Sequence, residues 1–266
     1  MTTPFPAPTF TGPRLQAAII DLDGTMIDTA DDFTAGLNGM LAQLDATETS
    51  REEVVGYIGK GSENLIRRVL AERFETDHAQ DRFDEALAIY QEEYAKINGV
   101  HTRLYPEVEA GLSAMRDAGL KLACVTNKPH RFAVELLEQY GLSQYFSVVL
   151  GGDSLPKKKP DPLPMITAAA QLGVTPETTV AIGDSENDAL AGRAAGMATL
   201  TLPYGYNHGR SVQEIKSDGI VASMPPRLSQ RTIPRPEKSF ILMFLNKKRS
   251  LISIDRGAWP WRRWSR

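Results

Sequence analysis

Cysteine is almost absent from this chain: its single copy, Cys124, cannot form an intramolecular disulfide, which fits a reducing compartment. Set within the apolar run LKLACVT, it reads as a small buried core residue. No apolar run approaches the roughly 20 residues that a membrane span needs. The first 14 residues, MTTPFPAPTFTGPR, lack the basic start and apolar stretch of a signal peptide and read as a loose arm. The expectation is a cytoplasmic protein without a membrane partner. Repeats of fixed period are missing, which excludes solenoids and propellers. Zinc-finger spacing and aromatic-rich sheet motifs are missing too, so no nucleic-acid partner is expected.

What is present is the composition of an ordinary soluble protein, with 42% hydrophobic and 24% charged residues. At 266 residues the chain exceeds the usual single domain, so a larger domain carrying a smaller insert is expected. The net charge of −3 hides an asymmetry. Residues 227–266 hold 11 Lys and Arg against 2 Asp and Glu, so this basic tail is foreign to the acidic remainder. It has neither helical nor strand periodicity over PPRLSQRTIPRPEK and is expected to be disordered and dispensable for activity.

The segment LQAAIID, residues 15–21, is a short apolar run that ends at a carboxylate and a Gly-Thr turn, as a buried parallel strand does. The runs LKLACVT (120–126), FSVVL (146–150) and TTVAIG (178–183) behave alike, with helical patterns over 108–118, 130–140, 162–172 and 186–195. This alternation indicates an α/β fold, a Rossmann-like, mainly parallel sheet flanked by helices. Ligands bind such sheets beyond the carboxyl ends of the strands, where Asp21, Thr126 and Asp184 converge. The interval from Asp28 to about Arg103 is far longer than a crossover and carries helical patterns over 30–44, 51–57, 62–74 and 79–97. It reads as an inserted all-helical cap domain over 28–103, set between core segments 15–27 and 104–226.

The strongest chemical signal is Asp21-Leu22-Asp23-Gly24-Thr25, directly after the first strand. It resembles the nucleophile motif of the haloacid dehalogenase-like hydrolases, whose phosphatases carry two aspartates two positions apart. The resemblance implies a nucleophilic Asp21 that takes the phosphoryl group, and an Asp23 that protonates the leaving alkoxide and then activates water. Gly24 permits a tight turn, and with Thr25 its loop is expected to hold phosphate oxygens. Thr126-Asn127 resembles the second motif, a hydroxyl that binds phosphate with a neighbouring substrate contact. Lys159-Pro160-Asp161-Pro162 resembles the third, a lysine that neutralises phosphate and nucleophile. Gly183-Asp184-Ser185-Glu186-Asn187-Asp188 resembles the fourth, an acidic cluster that holds Mg²⁺. The implied metal ligands are Asp21, the Asp23 carbonyl and Asp184, with Asp188 behind them.

The wording ThrAsnLysPro (126–129), GlyGlyAspSerLeuPro (151–156) and TyrGlyTyrAsnHisGly (204–209) resembles bacterial phosphoglycolate phosphatases. That resemblance implies a small phosphate ester as partner, 2-phosphoglycolate first, and a monomer or homodimer. The loop Gly56–Ser62 resembles a cap specificity loop, with Lys60 the candidate for a substrate carboxylate and Arg67 and Arg68 weaker ones. His208 receives no role. A sugar phosphomutase, a phosphatase of another small ester, and a non-catalytic phosphate-binding protein are the competing readings. A dehalogenase would not need Asp23, and a retired enzyme would not keep every catalytic position filled.

Overall fold

The computed structural model describes residues 14–224. The expected arm, apart from Arg14, and the basic tail from 227 lie outside the described residues. Strand β1 (Ala17–Ile20) is four consecutive buried apolar residues, the composition of a strand covered on both faces. After the Asp21 loop the chain forms β2 (Ile27–Asp28) and leaves for five helices: α1 (Ala30–Gln43), α2 (Arg51–Val55), α3 (Ser62–Arg73), α4 (Thr76–Asp81) and α5 (Phe83–Ile97). It returns through β3 (Arg103–Leu104), which pairs antiparallel with β2, so a two-stranded stem joins the helical insertion to the sheet. The helical pattern over 79–97 is broken at Arg82, whose guanidinium donates to the Leu44 carbonyl at 3.2 Å.

The remainder alternates as expected: α6 (Val108–Asp117), β4 (Lys121–Val125), α7 (His130–Gln139), β5 (Val148–Leu150), α8 (Leu163–Gln171), β6 (Thr179–Gly183), α9 (Glu186–Ala194), β7 (Ala198–Thr201) and β8 (Gly219–Ile220). Six strands form one sheet in the order β5-β4-β1-β6-β7-β8, with every pairing parallel. The chain order reverses across β1, and β4 and β6 flank it. Loops leaving these three neighbouring strands therefore open side by side at one edge of the sheet.

Three apolar clusters follow from this layering. One face of the sheet packs Ile20, Leu112, Cys124 and Leu136, and the other packs Ile19, Ala123, Met165 and Ala191. Cys124 is buried there, as its apolar run indicates. A third cluster holds the insertion together through Leu37, Met40, Ile66 and Tyr90, and it takes in Phe132 and Tyr206 from the sheet-bearing part. Among the described residues no helix is long and apolar enough to cross a membrane.

The insertion is also tied to its own exit by a charge. Asp32, fully buried in the first turn of α1, accepts from Gly99 N and His101 N at 2.7 Å each and from the Thr102 hydroxyl. A carboxylate at a helix start is favoured by the helix dipole, and here it also satisfies two backbone donors of the returning chain. Asp32→Ala leaves these donors buried and unpaired. It should lower the urea-unfolding free energy by about 3 kcal/mol; a loss below about 1 kcal/mol would mean that packing alone holds the return segment.

Candidate active site

Asp21 follows β1 directly, with its amide held by the Ile182 carbonyl of β6 at 3.0 Å. Thr126 follows β4 and Asp184 follows β6, so neighbouring strands deliver all three. Lys159 arrives from the loop after β5. Its ammonium, buried, donates to Asp21 Oδ1 at 2.7 Å, Asp188 Oδ1 at 2.6 Å and the Val125 carbonyl at 2.6 Å. Lys157 is exposed and Lys158 reaches Glu63 of α3 at 3.4 Å, so Lys159 is the lysine that enters the site.

The acidic residues form a compact group, with carboxylate oxygens of Asp21, Asp184 and Asp188 all within 4.8 Å of one another. Asp184 accepts from the Thr25 hydroxyl at 2.8 Å and from Tyr206 N at 2.7 Å. Asp188 caps α9, accepting from the Ser185 amide and hydroxyl, while its other oxygen takes Lys159. It is therefore both a helix-terminal carboxylate and the partner of the site lysine. The turn that brings these groups together requires glycine at 24: the residue has φ +82°, and a Cβ there would come within 2.5 Å of Asp184 Oδ2. Gly205 is equally constrained, since its Cβ would meet the Asp184 side chain at 2.2 Å.

The electrostatics of the cluster are those of a site short of positive charge. Burial, with Asp188 next to it, pushes the Asp184 carboxyl up to about 7. Burial also raises Asp21, against the pull of Lys159. Burial works against the Lys159 charge, but Asp188 and Asp21 outweigh it and hold the amine above its ordinary value. Three carboxylates facing one ammonium, with all their groups made of hard oxygen, fit a divalent cation such as Mg²⁺.

Asp23, the second motif carboxylate, is held differently. Its Oδ1 accepts from the Thr29 hydroxyl at 2.7 Å and from Lys128 Nζ at 3.2 Å. Lys128 went unassigned in the sequence, although it stands inside ThrAsnLysPro. It is fully buried, donates to the Tyr94 hydroxyl at 2.6 Å, and lies over the rings of Phe33 and Tyr94. Burial presses its amine below the ordinary lysine value, with Asp23 opposing.

Asp21, Asp23, Thr126, Asn127, Lys128 and Lys159 line one cavity, closed on the side of the helical insertion by Ile58, Gly59, Gly61, Ser62, Tyr90 and Tyr94 among others. Asn127 donates to the Gly59 carbonyl at 2.8 Å and to the Lys159 carbonyl at 2.8 Å, and Asn187 donates to the same Gly59 carbonyl at 3.0 Å. Two amides from the sheet-bearing part thus hold this loop of the helical insertion over the cavity. His208 packs beside that loop, next to Asn187.

Not every expected residue joins the cavity. Gly24 and Thr25 support Asp184 and are not among its lining residues. Lys60 is exposed and also outside the lining, as are Arg67 and Arg68, whose guanidinium groups lie over Phe83 and Tyr57. Tyr206 was missed altogether. Its amide serves Asp184, while its hydroxyl accepts from Thr29 N and Ala30 N and donates to Asp28.

The family model of the haloacid dehalogenase-like hydrolases matches residues 18–202. The chain belongs to that family. It is 45% identical over 210 residues to a phosphoglycolate phosphatase of Nitrosospira multiformis, covering 79% of this chain and 92% of that protein. A phosphoglycolate phosphatase of Thiobacillus denitrificans is 42% identical over the same length and shares. The crystal structure of a predicted phosphoglycolate phosphatase from Haemophilus somnus superimposes with a TM-score of 0.74 at 32% identity, covering 80% of this chain and 96% of that one.

The raised Asp184 carboxyl sets a pH dependence of stability. With a folded value of about 7 against an ordinary 3.8, the folded chain holds this proton more tightly than the unfolded chain does. Its contribution is present at low pH and is lost as pH rises through that window. In chelator, Asp184 should therefore lower Tm as pH rises from about 4 to about 7, and added Mg²⁺ should raise Tm most at the upper end. The check is a thermal melt series with and without Mg²⁺. A Mg²⁺ stabilisation that shrinks as pH rises would contradict this account.

Proposed function

We propose that this chain is a magnesium-dependent phosphatase that hydrolyses 2-phosphoglycolate to glycolate and phosphate through a phosphoryl group carried on Asp21. The single observation that supports it most is the separation of two carboxylates by environment. Asp21 faces Lys159 and the acidic cluster, while Asp23, two residues on, faces Thr29 and Lys128 on the cap side of the cavity. Such a division suits a nucleophile and a proton carrier. The relatives named phosphoglycolate phosphatase support the choice of substrate.

In the first step an Asp21 oxygen bonds to phosphorus as the bond to the substrate alkoxide breaks, and Asp23 gives that alkoxide its proton. In the second, water attacks the acyl phosphate and yields a proton to Asp23, and the bond from phosphorus to Asp21 breaks. Lys159 balances charge on Asp21 and on the phosphate, and the Thr126 hydroxyl holds a phosphate oxygen. Asp21, Asp184 and the Asp23 carbonyl would hold Mg²⁺, with Asp188 supporting from behind. When bound, the cation supplies the positive charge that this carboxylate-rich site lacks. Residues 28–103 act as a cap domain that excludes water over a core formed by 15–27 and 104–226. The reaction is placed in the cytoplasm.

A panel of phosphate monoesters assayed with Mg²⁺ and in excess chelator tests this reading. Phosphoglycolate should be the best substrate, chelation should abolish turnover, and Asp184→Ala should raise the Mg²⁺ requirement about tenfold or more. Full activity in chelator, or a sugar phosphate preferred about tenfold over phosphoglycolate, would overturn it.

A further inference from the structure

Resting on that reading, we infer that Lys128 is the residue that receives the substrate's carboxylate and so makes the site selective for a small phosphorylated acid. The role expected of Lys60 falls to a different lysine, one inside the cavity.

The reacting phosphate has its place at Asp21, Thr126 and Lys159, all on the sheet edge. Its bridging oxygen must face Asp23, so whatever the phosphate is attached to extends past Asp23 toward the cap. In phosphoglycolate one methylene separates that oxygen from the carboxylate, a reach of about 3 Å by ordinary bond lengths. Lys128 Nζ stands 3.2 Å from Asp23 Oδ1 on that cap-facing side. A carboxylate two bonds from the bridging oxygen is delivered to this ammonium.

The surroundings of Lys128 favour an anion of this size. A buried ammonium is costly unless paired, and here a single carboxylate, Asp23, is shared with the Thr29 hydroxyl. The aromatic rings of Phe33 and Tyr94 at 4.2 and 4.7 Å steady the cation without neutralising it. Tyr90 lines the same cavity, and its fully buried hydroxyl has no hydrogen-bond partner among the described residues. An incoming carboxylate has oxygens enough for both the ammonium and the phenol. Phe33, Tyr94, Phe132 and Leu65 wall the space around them, which suits a two-carbon acid and not a sugar. The N-terminus of α3 at Ser62 also borders the cavity, but it offers a partial charge where Lys128 offers a whole one.

The test compares phosphoglycolate with ethyl phosphate, which keeps the two-carbon ester and lacks the carboxylate. The readout is the ratio of kcat/KM values, in which damage common to both substrates, including any effect on Asp23, cancels. Wild-type protein should prefer phosphoglycolate by at least about 30-fold, and Lys128→Met should bring the ratio to within about fivefold of unity. Competitive inhibition by inorganic phosphate should persist in the variant, because Asp21, Thr126 and Lys159 remain. Tyr94→Phe, which keeps the ring and removes the hydroxyl that holds Nζ, should narrow the ratio several-fold. It carries the test if Lys128→Met does not fold. A wild-type preference that survives in these variants overturns the inference, leaving the α3 terminus as receptor and the proposed function intact. A wild-type protein that turns over both esters equally overturns the proposed function itself.

Discussion

One buried ammonium holds the site together. Lys159 bridges Asp21 and Asp188 at 2.7 and 2.6 Å, and no other cation reaches the acidic group among the described residues. Three carboxylates against one lysine leave excess negative charge in a place with little water, and burial forces Asp184 up to about 7 in response. A divalent cation held there would relieve this shortage of positive charge. Glycine is needed at 24 and 205 for a steric reason: no Cβ fits between Asp184 and the loops that cross it.

The sheet provides the rigidity that such crowding demands. Asp21, Thr126 and Asp184 are fixed by parallel pairing of β1 with β4 and β6, so their spacing is set by backbone hydrogen bonds and not by flexible side chains. The helical insertion meets this frame at its stem, at one loop and through the apolar cluster that takes in Phe132 and Tyr206. Its stem is the short β2 and β3 pair, its loop is held by Asn127 and Asn187 on one carbonyl, and Tyr206 links the Asp184 carboxylate to the first residues of α1.

Much of this was legible before the structure because the decisive residues end apolar runs. A carboxylate or hydroxyl directly after LQAAII, LKLACV or TTVAIG stands at the strand's carboxyl end whatever the details of packing. Lys159 was separable from Lys157 and Lys158 because Pro160 and Pro162 set its frame. Lys128 was not legible in this way. A lysine three residues past a strand reads as a surface residue, and it is buried by Phe33 and Tyr94 of the helical insertion, about 34 to 95 positions earlier. Tyr206 was hidden for the same reason, since its partners Asp28 and Asp184 come from two distant loops. Lys60 stood in a glycine-rich loop that does cover the cavity, yet alternate residues of that loop point apart: Gly59 and Gly61 line the cavity and Lys60 is exposed.

The central claim is that Asp21 carries the phosphoryl group while Asp23 moves the proton. Rapid-quench mass spectrometry of Asp21→Asn and Asp23→Asn with an activated aryl phosphate addresses it directly. Its leaving group needs little protonation, so Asp23→Asn should still phosphorylate Asp21 and then stall for want of a base. The account predicts an acid-stable, hydroxylamine-sensitive adduct on the peptide containing Asp21 in Asp23→Asn and none in Asp21→Asn. An adduct on Asp23, or full turnover by Asp21→Asn, would contradict it.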